Sequence, residues 1–312
     1  MGIPSLFRNN LVRTIKSKIP LEYSRGSRGL KFQFGSNFTE LNFYTIGLGD
    51  EMMARQMGAA FSEYLSQNPD PDLGEITIIN GGYAPKCDIE EGDINIYWWY
   101  SFGPHDKNPC KFHDQYFDPN IDTEIDIVLC GSDKIQKEAK KLGYDTLYFP
   151  IGTYGFRDLD LDRRGLGYAG SKNHKSKQKV NEFLSPFISK PDFEWVSHFT
   201  VPEELNLWYN TRLLTFGLTK EGQRQWGVVN SRVFEALGSA TPFIIPDHPT
   251  LNDVLGFEYP YQVSDQAEAE RLVEEMTSNP EKTLKEFKKY SKKIHQNHNY
   301  TVRLETLFDY LS

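Results

Sequence analysis

Cysteine is scarce in this chain of 312 residues: there are three, Cys87, Cys110 and Cys130. They are widely spaced and odd in number, and no pair has the spacing of zinc ligands, so neither a disulfide framework nor a zinc module is expected. A reducing cytosol fits that usage. No apolar run approaches the roughly 18 residues of a membrane span. No apolar stretch near the start resembles a secretory leader, and position 6 is Leu, so the myristoylation pattern that begins at Gly2 fails. Basic residues are in deficit, with 35 Lys and Arg against 43 Asp and Glu, a net charge of −8. A general nucleic-acid binder is therefore not expected. Solenoid-type repeats are absent too.

The basic residues that exist are unevenly placed. Arg8, Arg13, Lys16, Lys18, Arg25, Arg28 and Lys31 face only Glu22 within residues 1–35. Leu6, Phe7, Leu11, Ile15 and Ile19 fall near helical spacing among them. A basic amphipathic helix of this kind can lie on an anionic membrane surface through residues 1–30; a solvated arm or an extra packed helix is the alternative. The location expected is cytoplasmic, peripheral to the membrane if that helix binds it.

Beyond this segment the chain alternates strands and helices. Strands are expected at Phe38–Ile46, Glu75–Ile79, Asp93–Trp99, Asp126–Cys130 and Asp145–Pro150, with helices from Glu51 to Ser66 and from Ser132 to Leu142. Residues 151–166 are rich in Gly, Asp and Arg and lack periodicity, so they read as a linker. The second half repeats the pattern. Its strands are near Leu166–Ala169, Phe193–Val196, Leu213–Phe216, Pro242–Ile245 and Tyr259–Val263. Helices are expected at Lys175–Leu184, Pro202–Tyr209, Ser231–Leu237, Ala267–Met276 and from Glu281 to Leu311. Such alternation implies right-handed parallel βαβ units. The fold class is α/β: two doubly wound domains, 36–150 and 167–312, facing a cleft at the carboxyl ends of their strands, where ligands bind.

The most informative stretch runs from Asn230 to Pro246. Asn230 suits an N-cap, and Val233, Phe234 and Leu237 form one apolar stripe. Gly238 can end the helix in a left-handed conformation. Pro242-Phe-Ile-Ile-Pro246 reads as a buried strand. Arg232 and Glu235 are three apart and share a face. The amino end of such a helix favours a phosphate. Arg232 can pair with that phosphate, and Glu235 can accept from both hydroxyls of a ribose. An ordinary amphipathic helix with a surface Arg–Glu pair would show the same spacing.

The stretch NSRVFEALGSATPFIIP resembles the C-terminal signature of group 1 glycosyltransferases of the GT-B fold. The segments GYAGSKNHKSKQKVNEFL, PEELNLWYNTRLLTFGL and HNYTVRLETLFDYL extend the resemblance over Tyr168 to Ser312. It implies two Rossmann-like domains about a central cleft. An N-terminal acceptor domain would face a C-terminal domain that binds a nucleoside-diphosphate sugar. It also implies that Glu235 binds the ribose. Two positions depart from the pattern. Many group 1 enzymes carry a second glutamate eight positions before this one, where Gly227 stands here, so the contact to the donor sugar's hydroxyls is missing. Ala240 stands where the family usually has Gly.

Other candidates follow from position in the pattern. Gly170, Ser171 and Lys172 lie on a strand-to-helix loop whose N–H groups and lysine can face a diphosphate, with Lys175 and Lys177 behind them. The loop 217–229, holding Lys220, Arg224, Gln225 and Trp226, is expected to line the donor pocket, continuing into Asn230, Ser231, Arg232 and Glu235. Tyr209 and Asn210 sit at the opposite rim and read as packing residues. In the first half, Asp50 and His105 are candidates for the catalytic base, although Asp50, like Glu51, also suits a helix start. Trp99, Tyr100 and Phe102 are candidates for stacking on an acceptor sugar, with core packing the alternative. Asp158, Asp160 and Asp162 read as solvated linker residues, and His113-Asp114 lacks further ligands, so no metal or cofactor is expected.

The function expected is metal-independent sugar transfer from a nucleotide sugar to a hydroxyl of a glycan, lipid-linked or other acceptor. A non-catalytic binding module and a nucleotide-sugar epimerase on the same fold are the alternatives.

Overall fold

The computed structural model describes residues 23–25, 29–34, 39–44, 48–68, 74–81, 92–100, 125–171, 182–197, 199 and 201–311, with side chains from residue 51 onward except at 80 and 81. Among these residues two sheets are present. The first holds seven strands in chain order: β1 (Tyr23–Arg25), β2 (Gly29–Phe34), β3 (Thr39–Tyr44), β4 (Glu75–Gly81), β5 (Ile94–Trp99), β6 (Ile127–Cys130) and β7 (Thr146–Tyr148). β1, β2 and β3 pair antiparallel, and β3 to β7 pair parallel. Part of the basic segment thus supplies two sheet strands. The Leu6–Ile19 region lies outside the described residues.

The second sheet has five parallel strands: β8 (Leu166–Ala169), β9 (Phe193–Val196), β10 (Leu214–Phe216), β11 (Phe243–Pro246) and β12 (Gln262–Val263). Their order is β12-β11-β10-β8-β9. The chain leaves β8 toward β9, then returns past β8 to place β10 on its other side. Neighbouring strands β8 and β10 therefore feed connections in opposite directions, which opens a crevice beyond their carboxyl ends.

Helix α1 (Leu48–Gln67) follows β3, and α2 (Asp133–Lys141) follows β6. Ser132 caps α2 by accepting from the Ile135 N–H, and Lys140 and Lys141 close it where the helix dipole favours cations. In the second unit come α3 (Pro202–Asn210), α4 (Glu221–Gln225), α5 (Ser231–Gly238), α6 (Leu251–Leu255), α7 (Gln266–Ser278), α8 (Pro280–Asn297) and α9 (Tyr300–Leu311), with a further helical stretch at 182–188. The short helices α4 and α6 were not expected; five residues hold too little periodicity to read.

Helix α5 ends differently from the expectation. Gly238 is helical, and the left-handed residue is Ala240, with φ 51°. A residue with a Cβ pays for that conformation, which accounts for the glycine usual at this place in the family pattern.

The stretch between the sheets is fastened rather than solvated. Arg163 donates to Thr241 Oγ1 at 2.8 Å, Ser239 O at 2.9 Å, Asn210 Oδ1 at 3.0 Å and Tyr209 O at 3.1 Å. It also pairs with Asp158 at 3.2 Å, and Lys288 holds the other Asp158 oxygen at 2.9 Å. Asp160, 91% exposed, and Asp162 stand out in water, as expected. Asn210 is fully buried and takes the Leu159 N–H while donating to Arg157 O, so it is a packing residue, as is Tyr209.

The chain's end returns to the first unit. The Thr153 N–H donates to His298 O, and the Tyr300 N–H donates to Thr153 O. Helix α9 then packs on α1, with Phe308 edge-on to Phe61 at 5.4 Å, and the Tyr310 hydroxyl donates to Asp145. No helix among the described residues is long and apolar enough to cross a membrane.

Candidate functional site

The crevice between β8 and β10 brings together four pieces of the second unit. Gly170 follows β8, and its carbonyl accepts from Trp195 Nε1 at 3.0 Å. A side chain at Gly170 would run into the Tyr168 ring, so the backbone lies directly over that ring only because no Cβ is there. Ser171, next in the chain, is exposed. Gly217 follows β10 and leads to Leu218 and Thr219.

Asn230 joins that loop to α5. Its Oδ1 accepts from the Arg232 N–H at 3.1 Å, while Nδ2 donates to Thr219 Oγ1 at 3.0 Å and to Leu218 O at 3.3 Å. The cap thus uses one of the backbone donors that the sequence reading offered to a phosphate. What α5 presents instead is the Arg232 guanidinium, lying over the Tyr168 ring at 5.9 Å. This cation–π contact holds the charge beside the end of β8. Ser231 and Arg232 are half-buried.

Glu235, one turn on, is 2% exposed. Burial is the largest influence on its carboxyl and raises it to about 7. The Arg232 charge and hydrogen bonds from Gln56 and Ser231 pull the other way. The carboxylate faces the seam with the first unit, where Gln56 of α1 donates to Oε1 at 3.2 Å. Two tyrosines feel its charge: Tyr209 on α3 and Tyr300 on α9, both raised chiefly by burial.

The loop after β10 also reaches the first unit. Ser132 Oγ donates to Trp226 O at 2.6 Å and Lys134 Nζ to Gln225 O at 2.8 Å. Arg224 donates to Asp247 O at 3.0 Å at the end of β11, and its side chain is 48% exposed. At Gly227 the chain turns with φ 73°, and Thr250 Oγ1 donates to its carbonyl at 2.9 Å. A Cβ there would be strained and would meet Thr250 Cγ2 at 3.0 Å. The turn that places Trp226 against Ser132 is thus built on the glycine that displaces the family's other glutamate.

In the first unit the expectations fare differently. Trp99 is 1% exposed and Tyr100 2%. Tyr100 packs on Trp98 at 4.8 Å and Tyr97 on Trp99 at 6.1 Å. Trp98 in turn meets Phe149 and Tyr300 edge-on. Rings closed on both faces offer none to a sugar, so the acceptor-stacking reading of Trp99 and Tyr100 is corrected to core packing. Asp50 lies inside the first turn of α1, because the helix starts at Leu48 rather than Glu51. Glu51 is ion-paired with Arg55 at 2.7 Å. Lys172, Lys175, Lys177, Phe102, His105, His113 and Asp114 lie outside the described residues. Gln56 is the site residue that sequence reasoning missed. A glutamine inside a long helix carries no local signal, and its partner Glu235 is 179 positions away.

Comparison with known proteins bears on the fold. Residues 178–309 match the family model described as glycosyl transferase-like. No curated protein matches the sequence. Among solved structures, the T4 phage BGT in complex with its UDP-glucose substrate aligns with TM-score 0.52 and 12% identity, covering 83% of this chain and 92% of that one. Sucrose-phosphate synthase from Thermosynechococcus elongatus aligns at 0.46 and 10% identity, covering 83% and 79%. The pneumococcal O-GlcNAc transferase GtfA in complex with UDP and GlcNAc aligns at 0.47 and 12% identity, covering 93% and 68%. With its two Rossmann-like units the chain has the GT-B glycosyltransferase fold, and residues 178–309 are similar to the glycosyl transferase-like family.

Proposed function

We propose that the protein transfers a sugar from a nucleoside-diphosphate sugar to an acceptor hydroxyl, without a metal ion. The observation that carries this reading is that α5 holds Arg232 over Tyr168, at the end of β8 where the strand order reverses, and Glu235 one turn on at the seam between the units. The guanidinium suits the diphosphate, whose negative charge grows as the sugar bond breaks. The Glu235 carboxylate suits the two ribose hydroxyls, since an ionised acceptor bonds them strongly. Gly170 and Ser171 would flank the phosphates through backbone N–H groups, with Lys172 beside them. Arg224 would close the rim. The acceptor would enter from the first unit, with Asp50 or His105 taking its proton. The UDP-glucose of the T4 phage relative supports a nucleotide sugar as the ligand class.

A thermal-shift screen over nucleotides and nucleotide sugars, followed by product analysis, tests this. The expected outcome is stabilisation by one nucleoside diphosphate and its sugar, and sugar transfer or donor hydrolysis. Stabilisation without turnover would show a binding module, and an isomerised sugar would show an epimerase. Glu235→Ala should weaken nucleotide binding by about 1.5–3 kcal/mol. Unchanged affinity in a folded variant, measured by calorimetric titration, would remove Glu235 from the ribose.

A further inference from the structure

Gln56 is 1% exposed, on the face of α1 turned toward the second unit. Its carboxamide has partners on both sides. Oε1 accepts from the Tyr154 N–H at 2.9 Å and from Thr153 Oγ1 at 3.3 Å, and Nε2 donates to Glu235 Oε1 at 3.2 Å. A backbone N–H can only donate, so Tyr154 sets which way the carboxamide lies: oxygen toward Tyr154, amide hydrogens toward Glu235. Tyr154 is itself fastened. Thr153 beside it bonds through N–H and carbonyl to His298 and Tyr300, and the Tyr154 hydroxyl donates to Glu63 of α1. The amide donor is therefore held by the backbone of the connecting segment and by the first unit, and it meets a carboxylate of the second.

We propose that Gln56 is a positioning residue of the donor site, by which the first unit's helix orients the Glu235 carboxylate for the nucleotide. The proposal rests on the reading of Glu235 as the ribose ligand. A buried carboxylate keeps its charge only if donors face it. Those facing Glu235 come from every element around it: Gln56 from α1, and Ser231 and Arg232 from α5 itself, with the neutral phenols of Tyr209 on α3 and Tyr300 on α9 alongside. Arg232 acts on Glu235 through its charge, and the tyrosines likewise, whereas Gln56 donates a hydrogen bond to it from the other unit. Removal of the Gln56 amide thus takes away a hydrogen bond that favours the ionised form, and affinity for a ribose falls with it.

The test uses the full chain with two substitutions. Gln56→Met keeps the shape and loses the donor; Gln56→Glu keeps an acceptor for Tyr154 and sets a second carboxyl against Glu235. The first readout needs no nucleotide: the carbon-13 titration of the Glu235 carboxyl, assigned by its loss in Glu235→Gln. Gln56→Met should raise the midpoint by about one pH unit, and Gln56→Glu should raise it further. The second readout is calorimetric titration with UDP. Affinity at pH 7 should fall about tenfold in Gln56→Met and recover in part at pH 9. A midpoint that stays put in both variants overturns the proposal, including when the melting temperature falls, since that is the mark of a packing role alone. Unchanged UDP affinity in Glu235→Gln overturns the ribose reading and the proposal with it.

Discussion

The two sheets are built from the same kind of residues and do different things. Strands β3 to β7 follow one another in chain order, so the described part of the first sheet has no reversal and no crevice of its own. The second sheet reverses between β8 and β10, and there Gly170, Asn230 and Arg232 meet. The difference teaches that the crevice proposed for the ligand is set by connectivity, not by side-chain richness. The aromatic run Trp98 to Tyr100 at the end of β5 looks the more inviting in sequence, yet it is core. The modest helix α5 carries the proposed site.

The sharpest way to break that contrast is to cut both sides. Trp99→Ala should destabilise the fold by about 3–5 kcal/mol, as expected for a large buried ring, measured by urea unfolding. A stable variant with impaired acceptor use would return Trp99 to the acceptor site. On the other sheet, Arg232→Ala should leave stability nearly intact and lower turnover about a hundredfold or more at saturating donor. Arg232→Lys should rescue in part, because Lys lacks the bidentate fork. Near-normal turnover would make Arg232 a surface helix residue and dissolve the distinction between the sheets.

The junction between the two regions responds to pH. His298 is 5% exposed, with Arg303 donating to Nδ1 at 2.9 Å and Leu255 O beside Nε2 at 3.0 Å. Arg303 requires Nδ1 as an acceptor, so Nε2 carries the proton and the ring is neutral. Burial, aided by the Arg303 charge, lowers the imidazole to about 4 although the Leu255 contact favours protonation. The unfolded chain takes up the proton first, so stability is full above pH 6.5 and is lost as pH falls through about 4. The loss should approach about 3 kcal/mol, because a shift of one pKa unit is worth about 1.4. Denaturant melts at pH 7 and 4.5 check it in the Glu235→Gln variant, where the opposing contribution of Glu235 is absent. His298 O also accepts from the connecting segment, so both sheets should lose stability together; a first sheet that ignores the pH would show the units melting independently.

Glu235 acts in the opposite sense. Its folded value, about 7, lies above the usual 4.5, so its contribution is full below pH 4.5 and is lost as pH rises through 7. The smallest expected effect is at Gly227. Gly227→Ala should cost about 1–2 kcal/mol through its left-handed backbone, checked by thermal melting. No cost would mean that the turn facing Ser132 relaxes freely.

Much of the architecture was legible in the chain. β3 to β11 lie within a few residues of expectation because apolar runs between turn residues leave few other readings, and α5 was marked by Asn230 and its stripe. Strands β1 and β2 lie at the end of the basic segment, which was read as a helix on the spacing of Leu6 to Ile19 or as a solvated arm. The sheet partner of a strand is a long-range matter.

The sequence by itself determined the alternation of strands and helices, the cap on α5 and the placement of Arg232 and Glu235 on one helix, since these depend on neighbours within a turn or two. The tertiary structure alone decided the rest. It buried Trp99 and Tyr100, since a ring's exposure depends on what packs over it. It bolted Asp158 to Arg163 and Lys288. It set Gln56 against Glu235, because that contact requires a helix of one unit to meet a helix of the other, and no local propensity encodes such a meeting.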